Sequence, residues 1–177
     1  MLIYLHGVSS SGKTSIGNEL LKHLDNAILI DQDTYYKSLK PQITFVGDKV
    51  YTVANWDTAE VIDFNQFNNV IEQALEKYKW VIVTGFALRD EYMRLKADLS
   101  ILLDIGDHPL CKITAARQVS KGYQGEKAIR DFYMVEKVVL PYYEETLKHI
   151  TYHYKLKVFN MERRSLKELT KEILSLF

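Results

Sequence analysis

The chain has 177 residues, of which 47% are hydrophobic and 26% charged, and 23 Lys and Arg balance 23 Asp and Glu for a formal net charge of zero. That length fits a single domain, 1–177, with a sizeable core, and the balanced charge argues against a nucleic-acid or anionic-membrane partner held by bulk electrostatics. A single cysteine, Cys111, excludes an internal disulfide, and no apolar run approaches the length of a membrane span. Cys111 is expected to be an inert buried thiol. With no basic stretch leading into an apolar leader, the expected location is the cytoplasm.

Leu2–Leu5 is a short apolar run, as expected of a strand buried on both faces. It leads directly into Gly7-Val-Ser-Ser-Ser-Gly-Lys-Thr14, a complete GxxxxGK[ST] loop. In such a loop successive backbone N–H groups turn towards phosphate oxygens, and the positive end of the next helix faces the same anions. Gly7, Ser9, Ser10, Ser11, Gly12, Lys13, Thr14 and Ser15 are therefore the candidate nucleotide-phosphate residues. Lys13 can reach the β- and γ-phosphates, and the Thr14 hydroxyl can ligate magnesium. Ile16, Leu20, Leu21 and Leu24 mark the apolar face of that helix.

Ala27–Ile30 is the second predicted strand, and Asp31 and Asp33 follow it. Ligands of parallel sheets bind beyond the C-terminal strand ends, so both carboxylates face the phosphate loop. If strand geometry persists, they share one face. One can accept a proton from an attacking hydroxyl while the other holds magnesium through water. The competing possibility is a pair of exposed turn aspartates. Tyr35–Asp57 is long and mixed and reads as an irregular functional segment. Within it, Trp56 suits core filling as well as a platform for a base, and Asp57 could accept hydrogen bonds from sugar hydroxyls. The pairs Tyr35-Tyr36 and Tyr142-Tyr143 read as packing residues with a polar tip, and Tyr36, close to Asp33, is also a candidate acceptor contact.

Asp63 and Gln66 form a candidate capping box for a helix carrying Phe67, Val70, Ile71, Ala74, Leu75 and Tyr78. Trp80–Thr84 and Leu99–Leu103 are the next strands. A helix with Pro109 in its first turn, capped by Asp107 or His108, runs to about Val119. Arg117 near its end is a candidate for neutralising a transferring phosphoryl group, with Arg89, Lys121, Lys127 and Arg130 as further cations. Ser120–Lys127, with Gly122 and Gly125, reads as a loop in a short lid spanning about 117–130. Ala128–Val139 and Tyr142–Ile150 read as helices broken or kinked at Pro141. His149 and His153, four apart, fit an amphipathic helix better than a metal site. Lys155–Phe159 is the fifth strand, and Ser165-Leu166-Lys167-Glu168 is a capping box for the last helix. Strands alternating with helices predict an α/β fold with a parallel sheet and right-handed crossovers.

Together these motifs resemble the uridine kinase and nicotinamide riboside kinase family of P-loop kinases. The matching segments are GVSSSGKT at Gly7, DQDTYYK at Asp31, NWDTAEVIDF at Asn55, VIVTGF at Val81, CKITAAR at Cys111 and VLPYYEE at Val139. The resemblance implies a P-loop kinase fold: a five-stranded parallel sheet with helices on both faces and a short lid. It implies ATP and Mg2+ as cofactors and a small nucleoside-like acceptor, ribosylnicotinamide or uridine or cytidine, phosphorylated on its 5′-hydroxyl. Asp33 would be the general base, Trp56 would stack on the base, Asp57 would bind ribose hydroxyls, and Arg117 would be the lid arginine. One position departs from the family. Thr84 stands where a glutamate usually ends the third strand and helps organise magnesium, and Asp31 is the candidate to supply the missing charge. A kinase of a sugar acid, of a shikimate-like acid or of a pantothenate-type acceptor, and a nucleotide-binding protein without turnover, are the rival expectations.

Overall fold

The computed structural model describes residues 1–150, 156–161 and 164–177. In chain order the elements are β1 (Leu2–His6), α1 (Lys13–Leu21), β2 (Ala27–Asp31), β3 (Gln42–Val46), β4 (Val50–Ala54), α2 (Phe64–Leu75), β5 (Trp80–Gly85), β6 (Leu99–Asp104), α3 (Pro109–Lys121), α4 (Glu126–Met134), α5 (Leu140–Ile150), β7 (Leu156–Asn160) and α6 (Leu166–Leu174). Five strands form one parallel sheet in the order β2-β5-β1-β6-β7. β1 lies at its centre with every residue buried, which is why its sequence is an unbroken apolar run.

Helices cover both faces. Ile16 and Leu20 of α1 and Leu169 and Ile173 of α6 pack with Ile3, Leu5, Ile82 and Ile101. On the other side Phe67 and Ile71 of α2 meet Leu2, Tyr4, Val81 and Val83. Ile113, Met134, Val139 and Tyr143 close over Leu102 and Ile105. The loops after β1 and β2 thus emerge at one edge of a rigid sheet, where side chains can be held without the scaffold yielding.

The predicted strands are all present within a residue or so. Lys155, given to the fifth strand by its sequence, and His153 lie outside the described residues. The cap of α6 is also present: Ser165 Oγ accepts from Glu168 N–H at 3.2 Å, and Glu168 Oε2 accepts from Ser165 N–H at 2.8 Å. At α2, Asp63 Oδ1 accepts from Gln66 N–H at 3.0 Å. At α3 the N-cap is His108, in a left-handed backbone (φ 56°) with no side-chain cap bond.

Three expectations are corrected. The segment Tyr35–Asp57 is not irregular throughout, because β3 and β4 form an antiparallel hairpin pairing Gln42 with Ala54 and Val46 with Val50. Pro141 does not break its helix. A wider π-helical stretch, Val135–Val139, precedes it, with Leu140 N–H bonded back to Val135 O. That widening accommodates a residue that has no N–H and would crowd the carbonyl four residues earlier. Cys111 is exposed rather than buried, since it falls on the outer face of α3.

Candidate active site

The phosphate loop is built by close packing and two left-handed residues. Ser10 and Gly12 have φ of 66° and 84°, which turns neighbouring N–H groups to one side and forms an anion cradle. A Cβ on Gly7 would lie 2.4 Å from Ser11 Oγ and 3.2 Å from Leu103 O, so only glycine fits there. Ser11 Oγ is buried with no hydrogen-bond partner among the described residues. Lys13 Nζ donates to Val8 O at 2.9 Å. Burial lowers the Lys13 pKa, and Asp33, Asp31 and Asp57 oppose that shift. Ser15 is exposed on the first turn of α1.

Strand geometry does not persist past Asp31. Residues Gln32–Tyr35 form a 3-10 turn capped by Asp31 itself, whose Oδ1 accepts from Asp33 N–H at 3.1 Å. Gln32 points inward and is buried, its Oε1 accepting from the N–H groups of Phe86 and Ala87. This ties the end of β2 to the loop after β5. Asp31 Oδ2 accepts from the Thr14 hydroxyl at 2.8 Å. Thr84 pairs with Asp31 across the sheet; it is fully buried, and its Oγ1 has no hydrogen-bond partner among the described residues.

Asp33 accepts from the Tyr36 hydroxyl at 3.2 Å. Loss of hydration among its neighbours raises the Asp33 pKa, Asp31 adds to the rise, and Lys13 opposes it. The Tyr36 ring meets Trp56 edge-to-face at 5.2 Å. Trp56 is 47% exposed, so it is not core. Lys40 Nζ lies over it, 4.6 Å from the ring centroid, within cation–π range. Asp57 is fixed by an Asx turn, its N–H donating to Asn55 Oδ1 at 3.1 Å.

Two cavities flank these groups. One, about 350 Å³, is lined by Ser9–Gly12 together with Ile105, Lys112, Ile113, Ala116 and Met161. The other, about 390 Å³, is lined by Trp56, Asp57, Arg117, Lys121, Arg130 and Asp131, with β3 and β4 contributing Gln42, Thr52, Val53 and Ala54. Arg117 Nη1 donates to Asp57 Oδ1 at 3.4 Å, and its Nε and Nη2 donate to Asp131 at 2.9–3.1 Å. Lys127 lines a neighbouring groove beside β4. Arg89 stands apart from Arg117, Lys121 and Arg130: it is buried against α5, donating to Thr146 Oγ1 and stacked on Tyr142.

Sequence reasoning missed Asp131, Gln32, Lys40 and the hairpin residues of the second cavity. The hairpin carried a signal, since Gln42–Val46 and Val50–Ala54 are short runs rich in β-branched and aromatic residues that flank Gly47-Asp48. Asp131 carried none, because a buried carboxylate looks the same in sequence as a surface one.

The fold is that of a P-loop kinase. It superposes on a gluconokinase from Sinorhizobium meliloti 1021 with a TM-score of 0.59 at 16% identity, covering 98% of this chain and 89% of that one. It also superposes on a deoxyadenosine kinase from M. mycoides with a TM-score of 0.53 at 16% identity, covering 99% and 98%. In sequence the chain is similar to nicotinamide riboside kinases and to uridine kinases. It is 33% identical over 72 residues to that of Eremothecium gossypii, 41% of this chain and 29% of that protein. Over 166 residues it is 28% identical to the Saccharomyces cerevisiae nicotinamide riboside kinase, covering 70% and 67%. Over 80 residues it is 36% identical to a Borrelia duttonii uridine kinase, covering 44% and 34%. The matches thus span between under a third and about two thirds of these relatives. No family model matches the chain. No helix among the described residues is long and apolar enough to cross a membrane.

Proposed function

We propose that this chain is an ATP-dependent phosphotransferase acting on the 5′-hydroxyl of a nucleoside-like acceptor, ribosylnicotinamide or uridine or cytidine. The observation that carries this reading is the linkage from Asp33 through the Tyr36 hydroxyl to the exposed ring of Trp56. It joins a candidate base beside the phosphate loop to a flat apolar surface on the wall of a second cavity. The relatives named above support the same chemistry.

In this reading the 350 Å³ cavity takes the nucleotide and the 390 Å³ cavity takes the acceptor. The loop N–H groups and Lys13 hold the phosphates. Magnesium, where bound, offsets the charge on the β- and γ-phosphates. The Thr14 hydroxyl and the Asp31 carboxylate, already in contact, are the groups that would hold it. Asp33 orients the acceptor hydroxyl and takes its proton; its raised pKa makes it a better base than an ordinary carboxylate. Asp57 accepts from ribose hydroxyls, and Trp56 and Tyr36 fix the ring. α3 and α4 exclude water from the phosphoryl group.

ADP release from ATP, measured with ribosylnicotinamide, pyrimidine nucleosides, gluconate and shikimate as acceptors, tests this. Acceptor-dependent ADP with a riboside, lost in Asp33→Ala, is expected. Turnover with gluconate or shikimate alone would replace the acceptor class, and none with any of them would overturn the reading.

A further inference from the structure

We propose that Lys121 is the lid cation that meets the transferring phosphoryl group, and that Arg117 is a positioning residue for Asp57, held in place by Asp131. This rests on the kinase reading above and assigns two roles within it that the sequence gives to one residue.

Arg117 is committed elsewhere. Its Nε donates to both carboxylate oxygens of Asp131 at 3.1 Å, its Nη2 to Asp131 Oδ1 at 2.9 Å and its Nη1 to Asp57 Oδ1 at 3.4 Å. Arg117 and Asp131 are 4% and 5% exposed. Swinging the guanidinium onto a phosphate would strip Asp131 of its partner and leave a buried, uncompensated carboxylate, which is strongly unfavourable. With two carboxylates around it, the guanidinium has no net positive charge to offer. What it does supply is a fixed orientation for Asp57, whose other restraint is the turn at Asn55.

Lys121 has the placement that Arg117 lacks. It lies four residues on, one turn further along the same face of α3, and lines the same cavity. No ion pair holds it among the described residues. The adjacent Ser120 Oγ is 3.3 Å from Ser10 Oγ, so the end of α3 touches the phosphate loop. Gly122, left-handed at φ 64°, terminates the helix immediately afterwards, and a helix C-terminus favours a cation. Lys13 stands at the loop end of α1 and Lys121 lines the cavity that also holds Asp57, so one lysine approaches the reacting region from the loop and the other from α3. Loss of hydration among its neighbours and the Arg117 charge lower the Lys121 pKa although the residue keeps an exposed surface, while Asp57, Asp131 and Asp33 oppose this; Arg130 is the further cation on the cavity wall.

In the step itself the bond from the γ-phosphorus to the bridging oxygen of ADP breaks. A bond from that phosphorus to the acceptor oxygen forms, and the acceptor proton passes to Asp33. Lys121 offsets charge on the equatorial oxygens, which is electrostatic stabilisation confined to the transition state.

Steady-state kinetics of Lys121→Met, Lys121→Arg, Arg117→Lys and Asp131→Asn test the division, with thermal melts to confirm folding. Lys121→Met is expected to lower kcat by ~100-fold with acceptor KM little changed. Lys121→Arg should recover most of that loss and move the alkaline limb of the pH profile upward, because guanidinium titrates far higher. Arg117→Lys and Asp131→Asn should act mainly on acceptor KM. Unchanged kcat in Lys121→Met, or a kcat loss in Arg117→Lys equal to that of Lys121→Met with KM intact, would overturn the proposal. Should Asp131→Asn fail to fold, the exposed Lys121 variants still decide it. A wild-type protein with no acceptor-dependent ADP would instead sink the underlying kinase reading.

Discussion

Asp31 and Asp33 are two residues apart but sit in different surroundings. Asp31 accepts from the Thr14 hydroxyl and from the Asp33 N–H, which turns it towards the proposed magnesium position. Among the described residues the Asp33 carboxylate accepts only from the Tyr36 hydroxyl, and loss of hydration together with the Asp31 charge pushes its pKa up. In the proposed reading these different surroundings give the two carboxylates different work. Asp33→Asn is expected to lower kcat by roughly 10²–10⁴-fold while ADP still binds. Asp31→Asn should chiefly raise the magnesium concentration needed for half-maximal rate. The pH profile has a definite sign. Asp33 must be unprotonated to accept a proton, and its pKa is raised, so the acid limb of kcat/KM should fall above the usual carboxylate range. Identical phenotypes for the two variants, in rate and in magnesium dependence alike, would show that the two aspartates do not divide the work.

At the scale of elements, the hairpin β3–β4 is the wall of the second cavity, the proposed acceptor site, that pattern-reading missed. Its turn is pressed onto α4: a Cβ on Gly47 would come 2.3–2.7 Å from ring atoms of Tyr133. Phe45, Tyr51 and Tyr133 stack behind it, and Lys49 pairs with Glu126. Gly47→Ala should therefore push the hairpin off α4 at a cost of about 1–3 kcal/mol. If the strain is relieved by displacing the cavity wall, acceptor KM rises roughly 5–30-fold while ATP KM stays unchanged. An equal rise in both would mean that the hairpin does not act on the acceptor side alone. The sheet was legible because strands buried on both faces leave unbroken apolar runs, as in Leu2–Leu5 and Trp80–Thr84. The phosphate loop was legible because its chemistry demands fixed spacings. The Arg117–Asp131 pair was not, because it joins residues 14 apart through tertiary packing. Nor was the exposure of Cys111, which depends on which face of α3 is turned outward. Pro141 misled because a helix can absorb a proline by widening locally rather than ending.

For the whole molecule, the sheet order puts β1 at the centre, so the phosphate loop leaves from the most deeply buried strand. The β2 end with its two aspartates, the hairpin and the end of α3 converge around that loop. The two cavities therefore depend on the native fold, and a ligand that fills one binds the folded chain and not the unfolded one. Such a ligand stabilises by mass action, about 2.7 kcal/mol at a concentration 100 times its Kd. For a domain of this size that corresponds to a rise of roughly 5–10 °C in Tm. ADP with magnesium should produce this shift in a thermal melt, and Lys13→Met should abolish most of it without lowering the ligand-free Tm, since among the described residues Lys13 Nζ makes one internal hydrogen bond, to Val8 O. Acceptor alone should shift Tm through the second cavity, and Trp56→Ala should remove that shift while sparing the response to ADP. A wild-type melt that does not move with saturating ADP would take the nucleotide out of the first cavity and leave the phosphate loop without its assigned ligand.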